Sequence, residues 1–524
     1  MSPGPRVLFA TSEIAPWQKT GGLGDISSAL PAALALAGVA VRILVPAYPA
    51  LRLAFPDARV IAEIPPPGGR LPGGRLLQAA TAEGVPLLLL DCPACFDRPG
   101  GPYQTPQGQD WPDNALRFGL LSRVAALLAS DASPISWRPD ILHCNDWQSA
   151  LAPAYLHYLH GGGAATVMTI HNLAFQGLFP ASMLADLGLP PAAFAVDGVE
   201  FYGHLSFLKA GLQFADRITT VSPTYAREIQ QSELGFGLDG LLRHRSALLT
   251  GILNGVDASW NPATDPLLAK NYDAQHLAAK AANRRALRAE LGLIEDAAAP
   301  LLAAVSRLTH QKGVDLLLAV ADRLLAGPAD AQLVVLGNGE RDFEAGLRAL
   351  AARHPGRVAA VIGFDERLAH RIEAAADIFL MPSRFEPCGL NQLFSLRYGT
   401  PPVVRATGGL ADTVADCTPE SLRAGRATGF VFGPPDAEAL LAASNRAIDA
   451  WHDRRLWRRL QRNGMAADFS WAKAAADYLD VYRAARERHG DMAAAPIRGY
   501  NGTTADRLAA SSEELERHGL DRAE

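Results

Sequence analysis

Charged side chains that could hold a phosphorylated substrate follow two apolar runs in the second half of the chain. Arg307 and Lys312 come after residues 301–305, and Glu386 comes after residues 378–381. A guanidinium binds phosphate oxygens through paired N–H groups and an ammonium acts as a point charge, so this pair suits a diphosphate. A carboxylate such as Glu386 can accept hydrogen bonds from sugar hydroxyls. The simpler alternatives are a solvated basic loop and a glutamate that caps a helix.

Backbone amides near Glu386 add to this candidate site. The segment Glu386-Pro-Cys-Gly-Leu precedes an apolar helical stretch at residues 392–396. Amides at the start of a helix have no partner within the helix, so those of Cys388 and Gly389 can donate to a sugar or a phosphate. Thr407-Gly-Gly follows the next apolar run and predicts a second glycine-rich turn from strand to helix.

The first half of the chain carries polar residues in the same kind of position. Lys19 and Gly22 follow its first apolar run, ahead of a helix that we expect to begin near Ile26, and glycines at such a place let backbone amides approach a phosphate. Asp146 and His171 come after two further runs, the first of which ends at His143. Open α/β sheets bind ligands at the carboxyl ends of their strands. Metal binding is the alternative, but the spacing matches no metal-ligand pattern, so we expect no metal.

All these residues require strands that end at a common edge. Eleven apolar runs lack the alternation of half-exposed strands, which predicts strands buried on both faces, as in parallel sheets covered by helices. They lie at residues 6–10, 41–45, 85–90, 141–143, 166–170, 217–221, 301–305, 332–336, 358–362, 378–381 and 402–405. The expected fold class is α/β, with two doubly wound, Rossmann-like domains that face each other across a cleft.

The strand pattern restarts after Asn254-Gly-Val-Asp, which predicts a domain boundary at that point. We expect an N-terminal Rossmann-like domain at 1–254 and a C-terminal one at 255–468. A Pro- and Gly-rich stretch at 65–74 predicts a loop or a hairpin insertion in the first domain.

Composition excludes several other classes of protein. The net charge is −5 over 524 residues, so the chain lacks the basic footprint of a nucleic-acid partner. Nowhere do about eighteen apolar residues follow one another, so no membrane-spanning helix is expected. Five cysteines without a secretory signal predict a cytoplasmic protein with reduced thiols.

Seven motifs, in this order along the chain, resemble those of bacterial glycogen synthases and plant starch synthases. They are Lys19-Thr-Gly-Gly-Leu-Gly-Asp, His143-x-x-Asp-Trp, His171-Asn-Leu-Ala-Phe-Gln-Gly, Asn254-Gly-Val-Asp, Ser306-Arg-Leu-Thr-x-Gln-Lys-Gly, Glu386-Pro-Cys-Gly-Leu and Thr407-Gly-Gly-Leu-Ala-Asp-Thr. The resemblance covers residues 6–485. It implies the glycosyltransferase-B fold and retaining transfer of glucose from ADP-glucose to the non-reducing 4-hydroxyl of an α-1,4-glucan such as glycogen. No cofactor is implied.

The resemblance also implies roles for the candidate residues. The N-terminal domain would be the glucan acceptor side, with His171 beside the anomeric centre and Asp146 nearby. The C-terminal domain would bind the nucleotide sugar, with Arg307 and Lys312 on the diphosphate and Glu386 on the glucose hydroxyls. The residues that would complete donor binding are Lys19, Gly22, Asn254, Cys388, Gly389, Leu390 and Thr407. Residues 469–490 would form a helix that crosses back to the first domain, ahead of a polar tail at 491–524.

The motif around Glu386 departs from that of many retaining relatives. Those relatives carry a second glutamate eight positions later, where this chain has Phe394. We interpret this as a property that the starch and glycogen synthase branch shares. UDP-glucose remains the alternative donor, with Phe364 a candidate for stacking on the base. A glucan phosphorylase and a non-catalytic glucan-binding protein are the alternatives from other classes.

Overall fold

The computed structural model describes residues 4–327 and 329–494. Its strands are β1 Arg6–Ala10, β2 Ala40–Pro46, β3 Arg59–Ile64, β4 Gly74–Ala80, β5 Pro86–Asp91, β6 Ile141–Asn145, β7 Ala165–Ile170, β8 Leu178–Pro180, β9 Glu200–Phe201, β10 His204–Ser206, β11 Arg217–Thr220, β12 Leu249–Gly251, β13 Leu301–Val305, β14 Gln332–Gly337, β15 Val358–Ile362, β16 Ile378–Met381, β17 Pro402–Arg405 and β18 Phe430–Phe432. Each of the eleven strands expected from the sequence is present. The predicted loop at 65–74 connects β3 to β4, which form an antiparallel hairpin.

The α-helices lie on both faces of the sheets. They are α1 Gly22–Leu36, α2 Pro49–Ala54, α3 Pro93–Phe96, α4 Asn114–Leu128, α5 Leu151–Tyr155, α6 Met183–Asp186, α7 Phe207–Phe214, α8 Pro223–Glu228, α9 Asp239–His244, α10 Lys280–Leu291, α11 Val314–Leu325, α12 Arg341–Arg353, α13 Glu366–Ala375, α14 Asn391–Arg397, α15 Gly408–Thr413, α16 Pro419–Arg423, α17 Ala437–His452, α18 Arg454–Ala466 and α19 Trp471–Ala494.

Two separate sheets organise the described part of the chain. The first has the order β12-β11-β7-β6-β1-β2-β5-β4-β3, and the second has the order β15-β14-β13-β16-β17-β18. The second sheet is parallel throughout, as is the first from β12 to β5. The expected α/β architecture with two doubly wound sheets is therefore confirmed.

Each sheet reverses its strand order at one place. In the first sheet β1 lies between β2 and β6, and in the second β13 lies between β14 and β16. Ligands of open α/β sheets bind outside the strand ends at such a switch point. The loops that follow β1, β6, β13 and β16 are therefore the ones placed to form a site, and they carry most of the candidate residues.

Burial of apolar side chains holds these strands in place. In β5, Leu87 to Leu90 are fully buried, and each such leucine stabilises the fold by about 1.5–3 kcal/mol relative to an exposed one. The last helix, α19, packs on the first sheet although it follows the second in sequence. Its Tyr478 and Tyr482 belong to the core of the first sheet. Of the predicted polar tail, residues 495–524 lie outside the described residues.

Candidate active site

The connection between β6 and β7 is built around Asp146. Its carboxylate Oδ1 accepts hydrogen bonds from the backbone N–H of His171 at 2.7 Å and of Asn172 at 3.4 Å. Asp146 also has a φ of +52°, an uncommon and strained conformation for a residue other than glycine. The carboxylate thus ties the ends of two neighbouring strands together, and strain of this kind concentrates at functional sites.

His171 is held as a neutral imidazole in the same corner. Its Nε2 lies 3.0 Å from the side-chain oxygen of Asn145, which assigns the proton to Nε2 and leaves Nδ1 as an acceptor. Nδ1 is buried and has no protein partner among the described residues. Burial lowers the pKa of His171 to about 3, whereas it raises the pKa of Asp146 to about 7 against the opposing effect of the two amides.

His143 is not part of this cluster, contrary to its expected place at the end of a strand. Strand β6 continues to Asn145, so His143 lies inside the strand and is fully buried. Its Nδ1 contacts the Tyr482 hydroxyl at 2.8 Å and its Nε2 contacts the Thr169 hydroxyl at 2.6 Å. Because its ring is satisfied within the core, His143 joins α19 to the first sheet.

The loop after β1 is held by a carboxylate that sequence reasoning missed. Glu13 accepts hydrogen bonds from the Thr20 N–H at 2.6 Å, from the Thr20 hydroxyl at 2.7 Å and from the Tyr103 hydroxyl at 2.5 Å. Lys19 forms an ion pair with Asp25 at 2.7 Å. In the sequence, the one available sign of this role was the position of Glu13, an acidic residue shortly after the first strand.

The helix after this loop begins earlier than the sequence suggested. We expected it near Ile26, but α1 begins at Gly22, so Gly22 and Gly24 lie in its first turn. A Cβ atom on Gly24 would lie 3.1 Å from Cβ of Lys19, so the missing side chain lets the lysine pack against the helix. The Gly22 amide therefore lies at a helix start, where N–H groups have no partner within the helix.

Glu386 is the centre of the second half of the site. It is buried, and its carboxylate accepts hydrogen bonds from Lys312 Nζ at 2.5 Å and from the Ser383 hydroxyl at 3.0 Å. Arg307 is exposed and forms no ion pair within the part of the chain that the structure describes. Lys312 therefore balances the buried charge of Glu386, while Arg307 remains available for a ligand.

The residues after Glu386 lie where the predicted motif places them. Helix α14 begins at Asn391 with Leu390 as its N-cap residue, so Cys388 and Gly389 precede its first turn. Cys388 is buried, which raises the pKa of its thiol to about 12, and the neighbouring Asn254 opposes this rise. Asn254, in the chain between the two sheets, therefore lies close to this loop.

The two halves of the site meet where the loop after β1 leads into α1. A Cβ atom built on Gly22 would lie 3.5 Å from Cδ1 of Leu390, so the start of α1 closely approaches the loop after β16. Nearby, Lys19 Nζ lies 3.7 Å from the carboxylate of Glu366. Residues separated by more than three hundred positions in the sequence therefore share one cleft.

A second set of contacts joins the two halves through helices α8 and α15. Glu228, the last residue of α8, accepts hydrogen bonds from the Thr407 hydroxyl at 3.0 Å and from the Gly408 N–H at 3.1 Å. In return, Asp412 of α15 accepts hydrogen bonds from the Thr224 N–H at 2.8 Å and from its hydroxyl at 2.6 Å. Each helix thus supplies a carboxylate to the start of the other, and we call this pair the reciprocal cap.

The reciprocal cap lies directly against the Glu386 loop. A Cβ atom on Gly408 would lie 1.9 Å from the carbonyl oxygen of Glu386, so only glycine fits there. Gly409 N–H donates to that same carbonyl oxygen at 3.1 Å. Thr407 is buried beside this loop, but here its hydroxyl is bound to Glu228.

Two phenylalanines that the sequence singled out have different environments. Phe394 stacks on Trp260 with ring centroids 3.9 Å apart, and Trp260 stacks on His370, so Phe394 belongs to a buried aromatic stack. Phe364 is 76% exposed, two residues before Glu366, which reaches Lys19 across the cleft.

Two features are absent from the described residues. No group of three or more histidine, cysteine, aspartate or glutamate side chains is arranged to hold a metal ion. None of the described helices combines the length and hydropathy that crossing a bilayer requires.

Two doubly wound α/β sheets, with polar residues at both switch points facing one cleft, define a glycosyltransferase of the two-domain B type. Residues 6–244 match the starch synthase catalytic domain, and residues 285–464 match the glycosyl transferases of group 1. The catalytic domain of starch synthase IV from Arabidopsis thaliana, solved bound to ADP and acarbose, superposes with a TM-score of 0.82. It is 32% identical and covers 92% of this chain and 100% of its own.

The chain is also similar to bacterial relatives over most of its length. The glycogen synthase of Dechloromonas aromatica is 61% identical, covering 91% of this chain and 98% of that protein. The glycogen synthase of Aromatoleum aromaticum is 58% identical, covering 92% of this chain and 97% of that protein. The chain belongs to the glycogen synthase family, and it is a hexosyltransferase. The resemblance read from the seven motifs is thereby confirmed.

Proposed function

We propose that this enzyme transfers glucose from ADP-glucose to the non-reducing 4-hydroxyl of an α-1,4-glucan, with retention of configuration and release of ADP. The observation that carries the proposal is the close approach of Gly22 to Leu390. It brings the first-sheet loop that would bind the diphosphate against the second-sheet loop that would bind the glucose. The relatives named as glycogen synthases and the ADP-bound starch synthase support the same substrates.

The diphosphate is the leaving group, and cations from both halves would stabilise the negative charge that develops on it. Arg307 is exposed and free to bind phosphate oxygens, and Lys312 lies beside Glu386. Lys19 and the Gly22 amide would contact the diphosphate from the first half. Preorganised cations stabilise such a charge strongly because they need no reorientation during the reaction.

The glucose would lie between Glu386 and His171. The buried Glu386 carboxylate can accept hydrogen bonds from sugar hydroxyls, and the Cys388 and Gly389 amides can donate to others. His171 Nδ1, buried and without a protein partner among the described residues, is an acceptor for a further hydroxyl. Because burial keeps the imidazole neutral, it can accept this hydrogen bond throughout the physiological pH range.

We propose a front-face reaction rather than a covalent glycosyl-enzyme. Retaining glycosidases place a nucleophilic carboxylate about 5 Å from a second carboxyl group. Asp146 is the candidate nucleophile here, but Oδ1 is already bound to two backbone amides that fix the β6 and β7 ends. In the front-face route the acceptor hydroxyl attacks from the leaving-group side, and the departing phosphate takes its proton. A glucosyl adduct trapped on Asp146 would refute this route.

The base of the donor would stack on Phe364, whose exposed ring lies near the cleft. A flat aromatic ring can stack on adenine or on uracil, so Phe364 does not distinguish the two donors. We propose ADP-glucose because the relatives described above support it. We further propose that turnover needs no bound metal or organic cofactor. Excess chelator should leave the rate unchanged, and a loss restored by a divalent cation would contradict this.

Incorporation of radiolabelled glucose into precipitable glycogen tests the function directly, with ADP-glucose and UDP-glucose assayed side by side. Strong incorporation from ADP-glucose is expected. Incorporation from UDP-glucose alone would preserve the reaction and overturn the donor. A folded protein that incorporates glucose from neither donor would overturn the proposed function.

A further inference from the structure

Two exposed aromatic residues near the candidate active site have left-handed backbone conformations. Tyr202 and Phe236 have φ angles of +47° and +49°, and each is followed by a glycine with a φ of +80°. For a bulky residue this conformation is a genuine outlier and is energetically unfavourable. Such strain persists where the surrounding structure enforces it, commonly at ligand-binding sites.

Tyr202 occupies a turn that would be more stable with another residue. Phe201 pairs with His204, so Tyr202 and Gly203 form the two-residue loop between β9 and β10. Loops with positive φ at both positions strongly prefer Asn-Gly or Asp-Gly. The Tyr202 side chain is 78% exposed, so burial in the core does not explain a tyrosine there.

The two strained turns touch each other. A Cβ atom built on Gly237, which follows Phe236, would lie 3.0 Å from Cζ of Phe201 and 3.3 Å from Cε2 of Tyr202. The rings of Phe201 and Tyr202 are themselves in edge contact, with centroids 4.8 Å apart. The hairpin tip and the turn at Phe236 therefore pack against each other, which brings their aromatic residues into one region of the surface.

This surface reaches the candidate active site from both halves. The Phe236 ring lies 5.9 Å, centroid to centroid, from Phe385, which directly precedes Glu386. On the other side, the Phe236 carbonyl oxygen accepts a hydrogen bond at 2.9 Å from the side-chain amide of Gln176, five residues after His171. We call Tyr202, Phe236 and Phe385 the aromatic strip.

We propose that the aromatic strip binds the outer part of the α-1,4-glucan chain, beyond the glucose unit that accepts transfer. A pyranose ring presents an apolar C–H face, and aromatic side chains offer a large, rigid, uncharged surface for it. The nucleotide end of the donor carries charge and would be held by cations, which the strip lacks. A polymer whose end lies beside Glu386 must also leave the cleft along some surface, and the strip is continuous with that loop.

This inference rests on the proposed function, since it assigns part of the acceptor site of the same reaction. Its test compares Tyr202→Asn with Tyr202→Phe. Asparagine suits the left-handed turn, so Tyr202→Asn should fold with an unchanged or higher unfolding midpoint while it loses the ring. Its KM for glycogen should rise about fivefold, the effect expected for loss of one aromatic contact, while KM for maltose and for ADP-glucose stays unchanged. Tyr202→Phe should retain the wild-type KM for glycogen.

Glycogen affinity electrophoresis provides a readout that does not depend on turnover, and Tyr202→Asn should migrate faster than wild type in glycogen-containing gels. Leu36→Ala, which shortens a 92% exposed side chain at the last residue of α1, is the matched control and should behave as wild type. An unchanged glycogen KM and mobility in Tyr202→Asn would overturn the inference. A raised KM for ADP-glucose alone would overturn it too, by assigning the strip to the donor. Failure of wild type to transfer glucose would instead count against the proposed function.

Discussion

Replacement of Glu228 by alanine tests whether the reciprocal cap aligns the two halves of the active site. In the structure the Glu228 carboxylate accepts hydrogen bonds from the Thr407 hydroxyl at 3.0 Å and the Gly408 N–H at 3.1 Å. Hydrogen bonds to a charged group contribute about 1.5–3 kcal/mol, and the partial exposure of Glu228 favours the lower end. We therefore expect a loss of about 1.5–2 kcal/mol in the contact between α8 and α15.

The loss of this contact energy should lower catalytic activity because the reciprocal cap adjoins the Glu386 loop. Gly409 N–H donates a hydrogen bond to the Glu386 carbonyl oxygen. If the contact between α8 and α15 maintains the closed arrangement of the cleft, losing it should lower kcat/KM for ADP-glucose about 10- to 30-fold. This range follows because about 1.4 kcal/mol corresponds to a factor of ten. Glu228→Gln, which keeps an acceptor oxygen but loses the charge, should fall between wild type and Glu228→Ala.

The assay is steady-state glucose transfer to glycogen, with the exposed Glu233→Ala as the matched control. A double-mutant cycle with Thr407→Val should show coupling, because both substitutions remove the same contact. Strictly additive effects would mean that Thr407 acts separately from Glu228, for instance directly on the donor. A Glu228→Ala enzyme with wild-type kcat/KM would refute the role assigned to the cap.

The other predictions concern the charges of the site. Lys312→Met leaves the buried Glu386 carboxylate without its cation and should lower the free energy of unfolding by about 3 kcal/mol in urea titrations. Arg307→Met should leave that energy within about 0.5 kcal/mol of wild type but raise the KM for ADP-glucose, because the exposed side chain serves a ligand rather than the fold. An equal loss of stability in both variants would contradict this division. The raised pKa of Asp146, about 7 against 3.8, means that the folded protein binds this proton more tightly than the unfolded chain. Wild-type stability should therefore fall relative to Asp146→Asn as pH rises from about 4 to about 7, and parallel urea midpoints across that range would argue against it.

Much of the fold was predictable because it depends on local patterns. Continuous apolar runs such as 87–90 indicate strands buried on both faces, and such a run can be recognised from consecutive residues of the sequence alone. The same holds for Glu386 and Lys312, whose positions just after buried strands indicate the edge where ligands bind. The boundaries of short elements were less predictable, and α1 began four residues earlier than expected because glycine tolerates the first turn of a helix.

Other features became visible only in three dimensions. His143 has the appearance of a site residue in sequence, yet it is a core residue because β6 continues past it and α19 returns to cover it. Phe394 packs on Trp260, a partner more than a hundred positions away. No local pattern identifies Glu228 as a contact of Thr407.

The sequence alone therefore determined the strands, the two-sheet α/β class, the family and the residue types at the strand ends. The tertiary structure decided which of those residues meet, which of them are satisfied within the core, and which, like His171, have a buried polar atom without a partner among the described residues. The physical reason is that strand formation and burial follow from neighbouring residues, whereas a hydrogen bond across the cleft depends on how two separate sheets are oriented.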